Sequence, residues 1–280
     1  DFGNVTYSIY KEGDFIDLCR GPHIDRTGLV KHFKLLSIAG AYWRGDPKKK
    51  QLQRIYGTAF ETEKELKDHL FMLEEAKKRD HRKLGKELEL FTFDPVAPGS
   101  PFFLPKGTII YNCLVQFIRD LYQGYHYQEI ITPQILDASL WHKSGHYENY
   151  KENMFFTELD EREFAVKPMN CPASTFIYSS SKRSYRELPL RLADFGRLHR
   201  FEKSGALAGL TRVRTFCIDD AHIFCTPEQI ESEIHSLIEM ILKCYEVFEL
   251  KNTKIYLSTR PEKRVGSDSL WDQAEKALSQ

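Results

Sequence analysis

The sequence predicts an α+β protein with a mainly antiparallel sheet. Two long strand-like stretches, residues 191–202 and 212–224, flank a loop rich in Gly and Ala, and strands joined by a short loop pair antiparallel. Apolar residues recur at helical spacing at 110–121 and 230–245. Strands and helices do not alternate regularly as they would in a parallel βαβ protein, so helices are expected to flank the sheet.

Composition narrows the class of protein. A chain of 280 residues is long enough for more than one domain. Its 40 basic and 40 acidic residues cancel, so any nucleic-acid partner must be met by a local basic surface. No apolar run approaches the ~20 residues of a membrane helix, so no membrane partner is expected. The six cysteines form no dense framework, which favours a reducing, cytoplasmic location.

The first sixty residues read as strands. Residues 5–10 and 15–18 alternate in polarity around Glu12-Gly13-Asp14, which predicts a β-hairpin. Further strands are expected at 33–42 and 52–60. We interpret this region as part of a small α+β domain.

Residues 61–90 are predicted to be a helical linker between two domains. Thr62 and Glu65 have the spacing of a capping box. Leucines follow at helical intervals, and a basic run occupies 77–83. That run fits a solvated helix face as well as it fits an RNA contact.

A second domain is expected from residue 91 to 280. Its predicted elements, in order, are a helix ended by Gly124, a strand at 125–132 closed by Pro133, a short helix after Asp137, a strand at 164–169, a helix with Pro172 in its first turn, the two long strands, and a helix opened by the capping box Thr226–Gln229.

The long strands carry the residues best suited to chemistry. Side chains two apart share a face, which groups Phe216, Ile218, Asp220 and His222. Arg200 and Glu202 share a face on the partner strand, and the short loop is expected to bring all six onto one surface. An aromatic ring can stack on a base, and an arginine can hold a phosphate. Taken alone, Arg200 and Glu202 are better explained as structural ion pairs on an exposed sheet.

These segments resemble a known family. Phe-Gly-Arg-Leu-His-Arg-Phe-Glu at 195–202, followed by Arg-Val-Arg-Thr-Phe at 212–216, resembles motif 2 of the class II aminoacyl-tRNA synthetases. Residues 124–133 resemble motif 1, which lies at the dimer interface of that class. Residues 167–172, 219–224 and 257–264 are similar to threonyl-tRNA synthetases in particular. The resemblance implies a class II catalytic domain over 91–280, preceded by the C-terminal part of an editing domain over 1–60.

The resemblance also implies an activity and a nucleotide site. Threonine would react with ATP to give threonyl-adenylate, and the threonyl group would pass to the 3′ end of tRNA(Thr) on a homodimer. Arg200 would bind the α-phosphate and the threonine carboxylate, and Glu202 would bind the adenine amino group. Phe216 would stack on adenine and Arg212 would lie near the outer phosphates, with Mg²⁺ accompanying ATP.

A zinc site follows from the same resemblance. Cys171 and His222 match two of its three protein ligands, and the third is expected beyond residue 280. Three ligands leave a position open for substrate. Asp220 would accept a hydrogen bond from the threonine hydroxyl, which valine lacks, and Met169 would line the threonine site. Without the resemblance, a single Cys and a single His read as packing residues.

Three further positions match the family. His146 corresponds to a histidine near the tRNA 3′ end during transfer, although it also fits an ordinary loop histidine. Cys19 and His23 match part of a Cys/His editing cluster whose other histidines would precede residue 1. Editing by this chain alone is therefore not expected, and a buried structural thiol is an equal reading of Cys19.

The chain departs from the family at four positions. Ala173 and Ser174 stand where Gly-His is usual, Ile218 replaces a glutamine, and Ala208 replaces a histidine. Motif 3 and the anticodon-binding domain are expected after residue 280, so this chain alone is expected to be inactive.

The departures leave open a non-catalytic, synthetase-derived tRNA-binding or regulatory protein. Cys171 and the run 219–222 argue against a prolyl or seryl enzyme.

Overall fold

The computed structural model describes residues 8–18, 21–46, 48–262, 264 and 266–279. The chain divides into two compact units, Asp1–Asp80 and His81–Gln280. Five described cysteines are free thiols. Within the described residues, no helix is long and apolar enough to cross a membrane.

The first unit contains two antiparallel hairpins. Strands β1 (Ile9–Glu12) and β2 (Phe15–Leu18) pair across a turn in which Gly13 has φ +59°, a conformation that glycine adopts readily. Strands β3 (His32–Tyr42) and β4 (Gln51–Phe60) pair with one register shift near Leu36. The structure confirms the strands predicted at 15–18, 33–42 and 52–60. Of the strand predicted at 5–10, residues 5–7 lie outside the described residues, and β1 continues to Glu12 rather than ending at Tyr10.

The predicted linker is two helices. Helix α1 (Glu63–Lys78) begins with the capping box in which Glu65 N donates to Thr62 Oγ1 at 3.2 Å. It ends at Arg79, and helix α2 (His81–Glu87) opens the second unit. The single helical segment expected up to residue 90 is therefore interrupted. The proposed domain limits at 60 and 91 stay a prediction.

The second unit contains seven helices and ten strands within the described residues. Its helices are α2, α3 (Pro105–Gly124), α4 (Ala138–Lys143), α5 (His146–Tyr150), α6 (Cys171–Ser179), α7 (Ile230–Val247) and α8 (Asp268–Ser279). Its strands are β5 (Phe91–Thr92), β6 (Phe102–Phe103), β7 (Gln128–Glu129), β8 (Ile135–Asp137), β9 (Phe155–Leu159), β10 (Arg162–Val166), β11 (Leu190–Asp194), β12 (Arg197–His199), β13 (Thr215–Cys217) and β14 (Asp220–Phe224).

The strands of this unit pair mostly antiparallel. The sheets have the orders β8–β10–β9, β14–β11–β7, β12–β13 and β5–β6, and among these pairs β7 with β11 is parallel. Helices and antiparallel sheets thus confirm the predicted α+β class.

Several predicted strands are shorter than expected. The strand expected at 125–132 is reduced to β7, although Ile130 N still donates to Ala193 O at 2.7 Å. The strand expected at 164–169 ends at Val166 because the chain turns there towards α6. The two long strands are each broken, into β11 with β12 and into β13 with β14.

The core of the second unit joins helices to the central sheet. Tyr122 of α3, Ala193 of β11 and Met240 of α7 form one buried cluster. A second cluster contains Trp141, Met154 and Ala165. Burial of these apolar side chains fixes β11 and β14, from which the site described below extends.

Candidate active site

The break in the long strands lies where Gly196 meets Asn170, which comes from a distant segment of the chain. Gly196 packs against Asn170 so closely that an added Cβ would overlap its carboxamide. At the same point Ile218 N donates to Gly196 O at 3.1 Å, and the Cys217 thiol donates to Phe195 O at 3.3 Å. The hairpin therefore remains continuous across the break, but the β12–β13 end carries a different set of side chains from the β11–β14 end.

The β12–β13 end forms a pocket of about 390 Å³, within the usual range for small-molecule sites. All four residues predicted to bind ATP line it, together with others from the same hairpin and from α5: Arg200, Glu202, Arg212, Phe216, Tyr150, Leu210, Thr211 and Val213. The guanidinium carbon of Arg200 lies 5.0 Å from the centre of the Phe216 ring and 5.8 Å from that of Tyr150. An aromatic face beside a cation suits a nucleotide.

Two of the predicted ATP ligands are paired with each other. Arg212 Nε and Nη2 lie 3.1 and 3.0 Å from Glu202 Oε2. Arg212 is mostly exposed, so this ion pair contributes little to stability. A ligand that uses both side chains can therefore separate them at small cost.

The β11–β14 end carries a group of potential metal donors. A sulfur, a carboxylate oxygen and an imidazole nitrogen, from Cys171, Asp220 and His222, lie within 4.8 Å of one another. Asp220 and His222 come from alternate positions of β14, and Cys171 begins α6. The predicted zinc ligands and the predicted hydroxyl acceptor are thus neighbours.

The donor set fits zinc, which takes thiolate and imidazole ligands. His222 Nδ1 is buried and makes no hydrogen bond, so it is available to a ligand. Although Cys171 is exposed, packing around its thiol raises its pKa; Asp220 raises it further and Arg200 opposes the shift. Metal binding at Cys171 would consequently release a proton.

His146 lies next to Met169. Its Nε2 is 3.2 Å from Met169 Sδ, and its Nδ1 is 2.9 Å from Ser144 Oγ. Burial lowers the pKa of His146, and a hydrogen bond from its imidazole to the Ser144 backbone partly opposes the shift. His146 also lines a pocket that contains Cys171 and Phe176. The predicted transfer histidine and threonine-site methionine therefore lie together.

The four residues that differ from the family pattern lie in different parts of the structure. Ala173 and Ser174 are both buried in α6, and Ser174 Oγ is buried without a hydrogen-bond partner. Ala208 N donates to Arg212 O at 3.1 Å, so it shapes the loop that carries Arg212. Ile218 is half-buried at the strand break.

Reasoning from the sequence missed Lys167, Tyr150 and Arg214. Tyr150 lines the nucleotide pocket, and Arg214 Nε donates to Glu202 O at 2.9 Å. Lys167 lies inside the motif-like run 167–172, which could have drawn attention to it. Nothing in the sequence singled out Tyr150.

The editing remnant is only partly described. Cys19 lies outside the described residues. His23 is exposed, and its ring stacks on Tyr10 with centres 3.7 Å apart.

Comparison with known families agrees with this geometry. The family described as tRNA synthetase class II core domain (G, H, P, S and T) matches residues 154–275. The family described as Threonyl and Alanyl tRNA synthetase second additional domain matches residues 7–56. The fold and the site thus define a class II aminoacyl-tRNA synthetase core.

Individual relatives narrow the class. The chain is 60% identical over 279 residues to the threonine–tRNA ligase of Bdellovibrio bacteriovorus, covering 99% of this chain and 42% of that protein. It is 55% identical over 275 residues to that of Legionella pneumophila (strain Corby), covering 98% and 43% respectively. The chain belongs to the threonyl-tRNA synthetase family, and it spans about two fifths of the length of these relatives.

A solved structure is similar as well. A crystal structure titled as the RNA binding domain of threonyl-tRNA synthetase from Cryptosporidium parvum Iowa II has a TM-score of 0.68 and 51% identity. The match covers 72% of this chain and 50% of that one.

Proposed function

We propose that this chain is the catalytic-core portion of a threonine–tRNA ligase, which activates threonine with ATP and transfers it to tRNA(Thr). The observation that carries the proposal is the position of Arg200. Its guanidinium lies over Phe216 in the nucleotide pocket, and its Nε donates to Pro168 O at 3.1 Å, three residues before Cys171 of the metal-donor group. One cation therefore contacts both the nucleotide pocket and the segment that leads to the metal-donor group.

Activation joins the threonine carboxylate to the α-phosphorus of ATP and releases pyrophosphate. Arg200 would hold the α-phosphate and the carboxylate, where a fixed cation stabilises the developing charge. Phe216 would stack on adenine and Glu202 would accept from its amino group. Arg212 would leave Glu202 for the outer phosphates, which Mg²⁺ accompanies.

Selection of threonine depends on its hydroxyl. Cys171 and His222 would hold a zinc ion, and when bound the zinc supplies a Lewis acid that accepts the amino and hydroxyl groups of threonine. Asp220 would accept a hydrogen bond from that hydroxyl. Valine has the same shape without the oxygen, so these polar groups would be left unpaired by it.

Transfer moves the threonyl group from the adenylate to the terminal ribose hydroxyl of tRNA, with AMP as the leaving group. His146 is half-buried, and its lowered pKa keeps the imidazole neutral near pH 7. A neutral imidazole can accept the proton that the hydroxyl loses. His146 is therefore proposed as the residue that serves this step.

We infer that the protein is a homodimer that associates through the motif 1 region. The support is the exposure of large apolar side chains on α3 and just after β7, where Ile109 and Ile131 are 64% and 89% exposed. Exposed apolar side chains of this size are often buried in interfaces. Sedimentation of the full-length protein tests the inference, and a monomer at micromolar concentration would contradict it.

Pyrophosphate exchange with each standard amino acid, on the full-length protein with and without a zinc chelator, tests the function. We expect exchange with threonine, little with valine, and loss on chelation. Asp220→Asn should reduce exchange with threonine, whereas Asp120→Asn, on the exposed surface of α3, should not.

Other outcomes identify the alternatives. Exchange with a different amino acid would move the protein to another class II specificity. ATP binding without any exchange would favour the non-catalytic reading and point to Ala173, Ser174 and Ile218.

A further inference from the structure

A completely buried lysine lies beneath the candidate active site. The side chain of Lys167 is 0% exposed, with Nζ 2.7 Å from Thr132 Oγ1 and 3.4 Å from Asp194 Oδ2. Thr132 Oγ1 donates to the same Asp194 oxygen at 2.6 Å. Removing two charges from water is costly, and an apolar pair often stabilises a core as well. Stability alone therefore does not explain why these polar groups are buried here.

The segment that begins at Lys167 leads directly to Cys171. At its start, Lys167 N donates to Gln134 O at 2.9 Å and Lys167 O accepts from His199 N at 3.1 Å. In its middle, Pro168 O accepts from Arg200 Nε at 3.1 Å. A shift of this segment would therefore move both Arg200 and the thiol of Cys171.

The far end of the segment is tied to the same aspartate. Asn170 Nδ2 lies 3.4 Å from Asp194 O, and Asn170 is itself fully buried. Asp194 thus holds the segment at two points, through Lys167 and through Asn170.

Asp194 is also the direct cross-strand neighbour of Asp220 in the antiparallel β11–β14 pair. Directly opposed side chains lie close together, and like charges in such positions repel. The ammonium of Lys167 compensates the charge of Asp194, which leaves the carboxylate of Asp220 to the substrate or metal.

We propose that Lys167, held by Thr132 and Asp194, is a positioning residue for the segment that carries Met169 and Cys171. It touches no substrate, because it is buried. It sets where Cys171 stands relative to Asp220 and His222, and it balances the charge behind Asp220. The proposal rests on the metal site of the proposed function, so its test includes a readout that needs no metal.

The test uses paired variants of the full-length protein. Thr132→Val removes the hydroxyl at nearly constant shape, whereas Thr132→Ser keeps it. Lys167→Met removes the charge. Glu239→Gln is the control, because it breaks an exposed ion pair, with Lys243, on helix α7, which packs on strand β11.

The first readout is hydrogen exchange of the backbone amides at 167–173, measured by mass spectrometry without metal. We expect Thr132→Val to speed exchange there about tenfold relative to wild type, and Thr132→Ser to restore it. Glu239→Gln should leave this segment unchanged. Equal exchange in Thr132→Val, Thr132→Ser and wild type would overturn the proposal, even if Lys167→Met failed to fold.

The second readout is Co²⁺ binding followed by the thiolate-to-cobalt absorption band. We expect Thr132→Val and Lys167→Met to weaken binding about tenfold, as outer-sphere partners of metal sites do, and Glu239→Gln to leave it unchanged. Wild-type affinity and spectrum in both variants would overturn the proposal. Absence of the band in the wild-type protein would instead refute the metal site, and the hydrogen-exchange result would then decide the role of Lys167 alone.

Discussion

Gly196 has no room for a side chain, because the carboxamide of Asn170 occupies the space beside its Cα. Asn170 immediately precedes Cys171, and Arg200 follows four residues after Gly196. A methyl group at this one position would therefore act on the nucleotide pocket and on the metal-donor group together.

For Gly196→Ala we expect a loss of stability of about 1–3 kcal/mol, which is typical of overpacking, and a loss of threonine-dependent pyrophosphate exchange. Urea denaturation and exchange assays measure the two effects. Gly205→Ala is the control, since an added Cβ there meets no atom within 4 Å. Full activity of Gly196→Ala would show that the close packing of Gly196 against Asn170 is not needed for activity.

The pKa of His146 is lowered, chiefly by burial. Because the folded state binds a proton less readily than the unfolded chain, His146 contributes stability above the unfolded value of about 6.5, and that contribution is lost as the pH falls below it. NMR titration of the imidazole should give a midpoint below 6.5 in the folded protein and about 6.5 after urea unfolding. Equal midpoints would contradict the burial effect.

Strand β11 is tied to helix α7 by a bidentate ion pair between Arg191 and Glu233, with both N–O distances 2.6 Å. Both side chains are largely buried, so removing one partner leaves a desolvated charge. We expect Glu233→Gln to lower the free energy of unfolding by about 3 kcal/mol.

The exposed pair Arg119–Glu129 has the same bidentate geometry and serves as the control. Glu129→Gln should cost less than about 1 kcal/mol. Urea unfolding of both variants makes the comparison, and equal losses would show that burial does not set the cost.

Helix caps and turns were predictable because their signals are local. Thr226 and Gln229 lie three residues apart, and Thr226 N donates to Gln229 Oε1 at 2.9 Å as their spacing predicts. The strand breaks were not predictable, since they depend on Gly196 meeting Asn170 from a distant segment. The same holds for Lys167, because no local pattern reveals that Thr132 and Asp194 will surround it.

At the scale of the whole molecule, the absence of net charge and the exposed apolar side chains both favour self-association. The formal net charge is zero at pH 7, and large apolar side chains such as Phe33, Ile38 and Ile55 of the first unit are mostly exposed. Proteins with little net charge and exposed apolar surface associate readily.

We therefore expect this chain to self-associate most strongly near neutral pH and less at pH about 9, where deprotonation leaves a net negative charge. Static light scattering across this range measures the effect. Ammonium sulfate should increase scattering at each pH, because it strengthens apolar association. Scattering that did not depend on pH would exclude a role for net charge.

The general class was predictable at this scale because it depends on the order of many segments rather than on one contact. Sequence patterns at 124–133, 195–202 and 219–224 are each short, but their order along the chain is specific. The juxtaposition of Cys171 with Asp220 and His222 needed the fold, since 49 residues separate Cys171 from Asp220 along the chain.

The register of β14 against β11 restricts which mutations in this strand can be retained during evolution. Asp220 and His222 face Asp194 and Leu192, while Ala221 faces Ala193. Replacement of Ala221 alters its packing against the buried cluster of Tyr122, Ala193 and Met240 and leaves the donor group in register. Loss of the codon for Ala221 would rotate the following side chains to the opposite face of the strand and remove the imidazole from the donor group. Lineages that keep the donor group can therefore accumulate replacements in this strand, but they cannot change its length.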